Sequence, residues 1–90
     1  MKAIYKYCLD PIVEQTIDLP IGAEIISAQV QRGITGENIC VWAIVDTKAK
    51  KKPFKFYIAG SGHEPPTNKK FIGTVQMMGG SLVLHIFVED

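Results

Sequence analysis

Ninety residues with ten basic and nine acidic side chains, a net charge of +1, leave room for one domain and exclude a second one. The near balance of charge argues against a surface built for nucleic acid or anionic lipid, so we expect neither partner. There is no apolar run of about 18 residues and no apolar signal segment after Met1, which predicts a protein without a membrane anchor that works inside a cell.

Four β-strands are predicted in the first half of the chain, because β-branched and aromatic residues alternate with polar ones between turn-forming residues. They cover residues 3–9, 15–19, 24–32 and 39–46. The second is short and has a polar outer face, as edge strands commonly do. In the third, alternation puts Ile26 on the same face as Ala28 and Val30, with Ile25 on the other.

The fourth strand is apolar on both faces, with Ile39, Val41, Ala43 and Val45 alternating with Cys40, Trp42 and Ile44. Such a strand is expected to be covered on both sides. It therefore lies either at the centre of a sandwich or at a subunit interface.

A lysine-rich stretch, residues 47–52, leads to a fifth strand over residues 53–59. We interpret the stretch as a hairpin loop. Its Lys50 and Lys51 are either solvated residues that keep a sheet edge soluble or contacts for an anion. In the fifth strand Phe54, Phe56 and Ile58 are predicted to face the core.

Residues 60–70 form the longest segment without a periodic pattern, and they are rich in turn-forming residues. Long loops in compact domains are often functional. The segment opens with Gly60, Ser61, Gly62 and His63, which suggests a backbone cradle for an anion. The alternative is that both glycines supply positive φ in a bulge or tight turn. The third glycine and following helix of a dinucleotide fingerprint are missing.

Two glycines, Gly79 and Gly80, divide residues 71–88 into two apolar runs with the spacing of a tight hairpin. Pairing outwards from this loop places Phe71 opposite Val88 and Leu82 opposite Met77, on an apolar face that is predicted to be core. The other face is mixed, and Thr74 there is expected to hydrogen-bond to its partner His85. We interpret this mixed face as a contact surface made of Thr74, Gln76, Val83, His85 and Phe87.

Seven candidate strands, no convincing helix, and turns about every 8 to 12 residues predict one small all-β domain over residues 1–90. The expected architecture is an antiparallel sandwich or barrel of about seven strands.

No spacing in the chain is typical of an enzyme or a metal centre. His63 and His85 lack a well-placed carboxylate, and Ser61 is not in a nucleophile elbow. Cys8 and Cys40 lie in apolar strand patterns, which favours buried free thiols over a disulfide or a metal pair. We therefore expect no catalytic residue, no metal ligand and no cofactor.

Several short motifs, in a fixed order, resemble a family of small bacteriophage and prophage proteins that has no assigned activity. The resemblance covers nearly the whole chain and implies a viral origin, with the host cytoplasm as workplace. The motifs are Tyr5-Lys6-Tyr7, Gln15-Thr16-Ile17-Asp18-Leu19-Pro20, Val41-Trp42-Ala43, Gly60-Ser61-Gly62-His63, Phe71-Ile72-Gly73-Thr74 and Gly79-Gly80-Ser81-Leu82-Val83 with His85 and Phe87.

We therefore predict a phage-encoded, non-enzymatic binding protein that forms homo-oligomers and counters a host defence process. The most specific version of this prediction is that the protein sequesters a small anionic nucleotide. The residues assigned to this ligand are Gly60, Ser61, Gly62 and His63 for phosphate, Trp42 or Tyr57 for the base, and Lys50 and Lys51 for added charge. The alternatives are an interaction module that inhibits a host protein, and a minor structural or assembly protein of the virion.

Overall fold

The alternating apolar residues form seven strands in the computed structural model, which describes residues 1–89. Their bounds are β1 Lys2–Leu9, β2 Glu14–Pro20, β3 Glu24–Gly33, β4 Gly36–Asp46, β5 Lys51–Gly60, β6 Lys70–Met77 and β7 Leu82–Glu89. One sheet has the order β1-β4-β3 and the other β2-β5-β7-β6, with antiparallel neighbours throughout. The prediction of an all-β sandwich or barrel of about seven strands is confirmed, and the two sheets make it a sandwich; β2 is at an edge as expected. Across these 89 residues, no helix has the length and apolarity of a membrane span.

The core lies between the two sheets, where each strand contributes the apolar half of its alternating residues. Fully burying a side chain the size of valine, leucine, isoleucine or phenylalanine stabilises the folded state by about 1.5–3 kcal/mol. In β5, Phe54, Phe56 and Ile58 face inward as predicted. The other principal members are Leu19 of β2, Ile39, Val41, Ala43 and Val45 of β4, and Leu84, Ile86 and Val88 of β7.

A β-bulge in β3 changes which side chains reach the core. The register shifts between Ile25 and Ser27, so Ile25 packs against the core with Ala28 and Val30. Ile26 is the extra residue and is 46% exposed. Its predicted place with Ala28 and Val30 was wrong, because one inserted residue reverses the faces of everything before it.

A second bulge lies in β6, between Phe71 and Gly73. It pairs Phe71 with Phe87 instead of Val88 and leaves Phe71 54% exposed, so the prediction that Phe71 is core was wrong. The two rings pack edge to face, with centroids 5.5 Å apart. The bulge therefore moves Phe71 from the core to the outer face, where its ring packs against that of Phe87.

The hairpin loop contains the predicted Gly79-Gly80 turn but is longer than predicted. The strand pairing ends at Met77–Leu82, so the loop has four residues, and Met78–Gly80 form a 3₁₀ turn in which Met78 also has a positive φ. Gly79 and Gly80 have φ of +68° and +94°, and the Ser81 N–H donates to the Met78 carbonyl over 3.3 Å. Positive φ at both central residues is what a two-residue type I′ turn requires. The pairs from Met77–Leu82 to Gly73–Ile86 also have the predicted register, although Leu82, at the open end, stays exposed.

The lysine-rich stretch is not a hairpin loop. β4 already has β1 and β3 on its two sides, so β5 cannot pair with it and begins instead in the other sheet. The connection passes between sheets, and the Lys50 carbonyl accepts a hydrogen bond from Ile21 N–H over 2.7 Å. Lys51 is already the first residue of β5.

The connection from β5 to β6 is a crossover, because both strands are antiparallel to β7 and so run in the same direction. Gly60 pairs with Leu84 of β7, whereas Lys70 pairs with Val88 at the other end of that strand. Residues 61–69, which we call the crossover loop, must therefore return across the outer face of the four-stranded sheet. This topology places the longest loop of the chain directly over the mixed face of the final hairpin.

Candidate functional site

A cleft of about 330 Å³ opens between the crossover loop and the edge of the four-stranded sheet. Small-molecule sites typically have volumes of about 300–1,000 Å³, with mostly apolar walls and a few polar groups. This cleft fits that description, because Tyr57 and two prolines face it together with His63 and Glu64. Its full lining is Val13, Tyr57, Ile58, Ala59, His63, Glu64, Pro65 and Pro66.

The first end of the crossover loop is tied to the sheet through His85. Ser61 Oγ lies 3.0 Å from His85 Nε2, and Thr74 Oγ1 lies 2.9 Å from His85 Nδ1. The predicted contact between Thr74 and His85 is present, and Ser61 extends it. One imidazole thus joins β6, β7 and the crossover loop.

The chain Ser61–His85–Thr74 has the hydrogen-bond distances of a nucleophile and its base. Its third member, however, is a neutral hydroxyl. It can fix the ring and the tautomer but cannot stabilise an imidazolium as a buried carboxylate does. The arrangement is best suited to clamping the loop. Within residues 1–89, no three His, Cys, Asp or Glu side chains cluster in a way that could hold a metal ion.

The other end of the crossover loop is tied by Lys69. Its Nζ lies 2.9 Å from Glu89 Oε2 and 5.5 Å from the centroid of the Tyr57 ring. The hydrogen bond between the two side chains raises the pKa of Lys69 and lowers the pKa of Glu89. Lys69 therefore packs over the Tyr57 ring that lines the cleft.

The two glycines at the start of the crossover segment have different roles. Gly62 has φ +86° with open space around it, so it supplies a turn. Gly60 packs closely against His63: a Cβ there would lie 3.1 Å from Nδ1 of this exposed imidazole, which would have to shift by a few tenths of an ångström. The His63 N–H donates to the Gly60 carbonyl over 3.1 Å, which folds the imidazole back onto the strand end.

The structure brings together only part of the ligand set proposed from the sequence. Tyr57 and His63 line the cleft, and Gly60, Ser61 and Gly62 lie at the start of its loop. Trp42 is on the outer face of the other sheet, paired with Lys6 and Ser27. Lys50 and Lys51 are at the opposite end of β5, and Lys51 lies about 30 Å along the strand from Gly60.

The predicted contact surface lies on one face of the sheet. Two of its pairs, Thr74–His85 and Gln76–Val83, are in the expected register. The crossover loop reaches this face at His85, so the chain itself covers part of it. Six cleft residues were not assigned to the site from the sequence: Val13, Ile58, Ala59, Glu64, Pro65 and Pro66. Among them, only the Pro65-Pro66 pair had a sequence signal, that of a stiff loop.

A second exposed surface lies on the outer face of the three-stranded sheet. Ile4, 61% exposed, is directly opposite the half-buried Ile44 of β4. Ile26 adjoins Ser27, which is the β3 partner of Trp42. We call Ile4, Ile26, Trp42 and Ile44 the isoleucine patch. The doubly apolar β4 is therefore covered by core on its inner face only.

Comparison of the chain with curated proteins and with solved structures gave no match. One family model matches, and the match extends over residues 1–90. Its description, a domain of unknown function, carries no statement of activity, ligand or partner. With its whole length matched, the chain belongs to the DUF7352 family.

Proposed function

We propose that this protein is a non-enzymatic binding protein that holds a small planar molecule in the cleft under its crossover loop. The observation that supports this most directly is the cleft itself, about 330 Å³, with apolar walls and a loop tied to the sheet near both ends. A site that is already shaped before binding loses less free energy in ordering its groups. The resemblance to bacteriophage proteins supports a host signal molecule as the ligand and counter-defence as the role.

The groups around the cleft favour a nucleobase or nucleoside over a ligand that is recognised through its phosphate. Tyr57 offers an aromatic wall, and His63 and Glu64 can bond to ring nitrogens and amino groups. The Glu64 carboxylate repels phosphate. The neighbouring cation, Lys69, is already bound to Glu89, and Lys50 and Lys51 are too far away to contribute.

Thermal unfolding in the presence of matched nucleobases, nucleosides and their monophosphates tests this proposal. A ligand at one hundred times its Kd stabilises the folded protein by about 2.7 kcal/mol, an easily measured rise in Tm. We expect a nucleoside to stabilise at least as much as its monophosphate. No shift with any member at millimolar concentration would refute the proposal.

Two substitutions in the cleft make the test specific. Ala59→Phe should fill the cleft and Tyr57→Leu should remove its aromatic wall, and both should abolish the ligand-induced shift. Trp42→Leu and Lys51→Gln are matched controls, because these residues lie away from the cleft, and they should leave the shift unchanged. Equal loss of binding in the Trp42 variant would place the ligand on the other sheet.

A second candidate function, self-association, is favoured by the isoleucine patch. A second copy is the occupant that fits, because the outer face carries opposite charges on its two edges. Lys2 is on β1, and Glu24 is on β3 beside Ile44. A two-fold axis along β4 lays β1 of one copy over β3 of the other, and this brings Lys2 towards the partner's Glu24 while both patches are buried.

The solution mass tests this second candidate. We expect a dimer by light scattering, and Ile4→Lys or Ile26→Lys should convert it to a monomer by burying an unpaired charge. Ile34→Lys is the control, since Ile34 is fully exposed in the turn between β3 and β4. A wild-type monomer at high concentration would rule out self-association.

A further inference from the structure

Cys8 and Cys40 are direct partners across β1 and β4, and their sulfur atoms are 3.4 Å apart. Opposed residues in antiparallel strands have Cα atoms about 4.5–5.5 Å apart, within the range of about 4.4–6.8 Å that disulfides use. A bond between the two sulfurs therefore needs little movement of the backbone.

The two thiols differ in their access to solvent. Cys8 was predicted to be buried, but it is exposed because it lies on the edge strand β1. Cys40 is fully buried as predicted, although it lies on the outer face of its sheet. On the same face, Lys6 reaches across β4 and donates from Nζ to Gln31 Oε1 on β3 over 2.7 Å. Cys40 Sγ is 3.7 Å from that same oxygen.

Burial also disfavours the thiolate form of Cys40. Burial, with a smaller contribution from the hydrogen bond to Cys8, raises the pKa of the Cys40 thiol to about 11. Thiolates, not thiols, attack disulfides, so Cys40 is protected from oxidants in solution. In the single chain, Cys8 is the thiol that a small molecule can reach.

We propose that Cys8 and Cys40 form a redox-active pair in which Cys8 reacts first with a low-molecular-weight disulfide and Cys40 resolves the product. The Cys8 thiolate attacks one sulfur of the small disulfide and expels the other half as a thiolate. Cys40 Sγ then attacks Cys8 Sγ, its proton passes to the second departing thiolate, and the internal bond closes. Two cysteine thiols are oxidised, and one small disulfide is reduced to two thiols.

The internal bond would tie the edge strand β1 to the central strand β4. Within residues 1–89, β1 is at the edge of its sheet and pairs with β4 on one side only. A covalent link across this pair restricts the unfolded chain, so oxidation should raise the melting temperature by roughly 10 °C or more.

The test is titration of the reduced full-length protein with glutathione buffers of increasing oxidised fraction, followed by intact-mass measurement and peptide mapping. We expect a product that has lost two hydrogen atoms and contains a Cys8–Cys40 peptide pair. Cys40→Ser should stop at a single glutathione adduct on Cys8, and Cys8→Ser should stay unmodified under conditions that oxidise the wild type. Adding Lys6→Ala to the Cys8→Ser variant should expose Cys40 and allow glutathione to modify it.

Three outcomes would overturn the proposal. They are two free thiols in the wild type at a high oxidised fraction, covalent dimers through Cys8 in place of the internal bond, and modification of Cys8→Ser as fast as the wild type. The wild-type peptide map decides the first two without any variant, so a poorly folding substitution does not weaken the test.

Discussion

Thr74 and His85 face each other across β6 and β7, with Thr74 Oγ1 2.9 Å from His85 Nδ1. This cross-strand contact orients the ring so that Nε2 reaches Ser61 at 3.0 Å. Whichever tautomer the ring adopts, one nitrogen donates and the other accepts, so both hydroxyls are bonded. A pair within the hairpin thus fixes the loop that covers the cleft.

The first prediction concerns this contact. Thr74→Val keeps the shape of the side chain but removes the hydroxyl, and we expect it to lower the free energy of unfolding by about 1 kcal/mol, measured by urea denaturation. Amide exchange of residues 61–63 should also accelerate, because the ring is no longer oriented. Thr74→Ser keeps the hydroxyl and is the control. If the valine and serine variants behave alike, His85 does not hold the loop.

The second prediction separates the two glycines of the crossover segment. Gly60→Ala places a Cβ 3.1 Å from the His63 ring, so the imidazole must move and ligand affinity should fall with little change in stability. Gly62→Ala has free space but keeps φ at +86°, which should cost about 1–2 kcal/mol of stability. Ligand-induced shifts and urea unfolding of both variants measure the two effects. Unaltered affinity in Gly60→Ala would show that the His63 ring is not part of the site.

The third prediction is a pH dependence at the Lys69–Glu89 pair. Folding lowers the pKa of Glu89, so the pair stabilises the fold above the ordinary carboxylate pKa and loses this contribution as the pH falls through the lowered value. Folding raises the pKa of Lys69, so the pair keeps its contribution to stability at high pH and loses it only as the pH rises through this raised pKa. We expect Glu89→Gln to melt lower than the wild type at neutral pH, with the two curves converging in acid. A difference that persists well below the lowered carboxylate pKa would contradict this assignment.

The fourth prediction tests the core. Ile86 is fully buried between the sheets, and Ile86→Val should lower the free energy of unfolding by about 1 kcal/mol. Ile34→Val makes the same chemical change at a fully exposed position and should have an effect below about 0.5 kcal/mol. Equal effects at the two sites would place Ile86 outside the core.

The strands and the final hairpin were predictable because their signals are local. Alternation and the Gly79-Gly80 turn act within a few residues, and they set the pairing from Met77–Leu82 to Gly73–Ile86. The bulges at Ile26 and Ile72 were not predictable from alternation, since an inserted residue leaves an unbroken apolar pattern. In each strand the one-residue shift decided which face of the sheet carries Ile25 or Phe71.

The candidate site was predictable only in part. The loop that begins at Gly60 was recognised from its length and composition, and Tyr57 and His63 do line the cleft. The lysines and Trp42 could not be excluded from the sequence alone, because their separation depends on which sheet each strand joins. Likewise, nothing local shows that Cys8 and Cys40 are partners.

By itself, therefore, the sequence determined the seven strands, most of the core faces and the turn of the last hairpin, because these depend on neighbouring residues and on the two-residue period of a strand. Only the tertiary structure decided the strand order β2-β5-β7-β6, and with it the crossover that makes the cleft. Strand order depends on contacts between residues far apart in the chain, where packing of whole sheets outweighs any local preference.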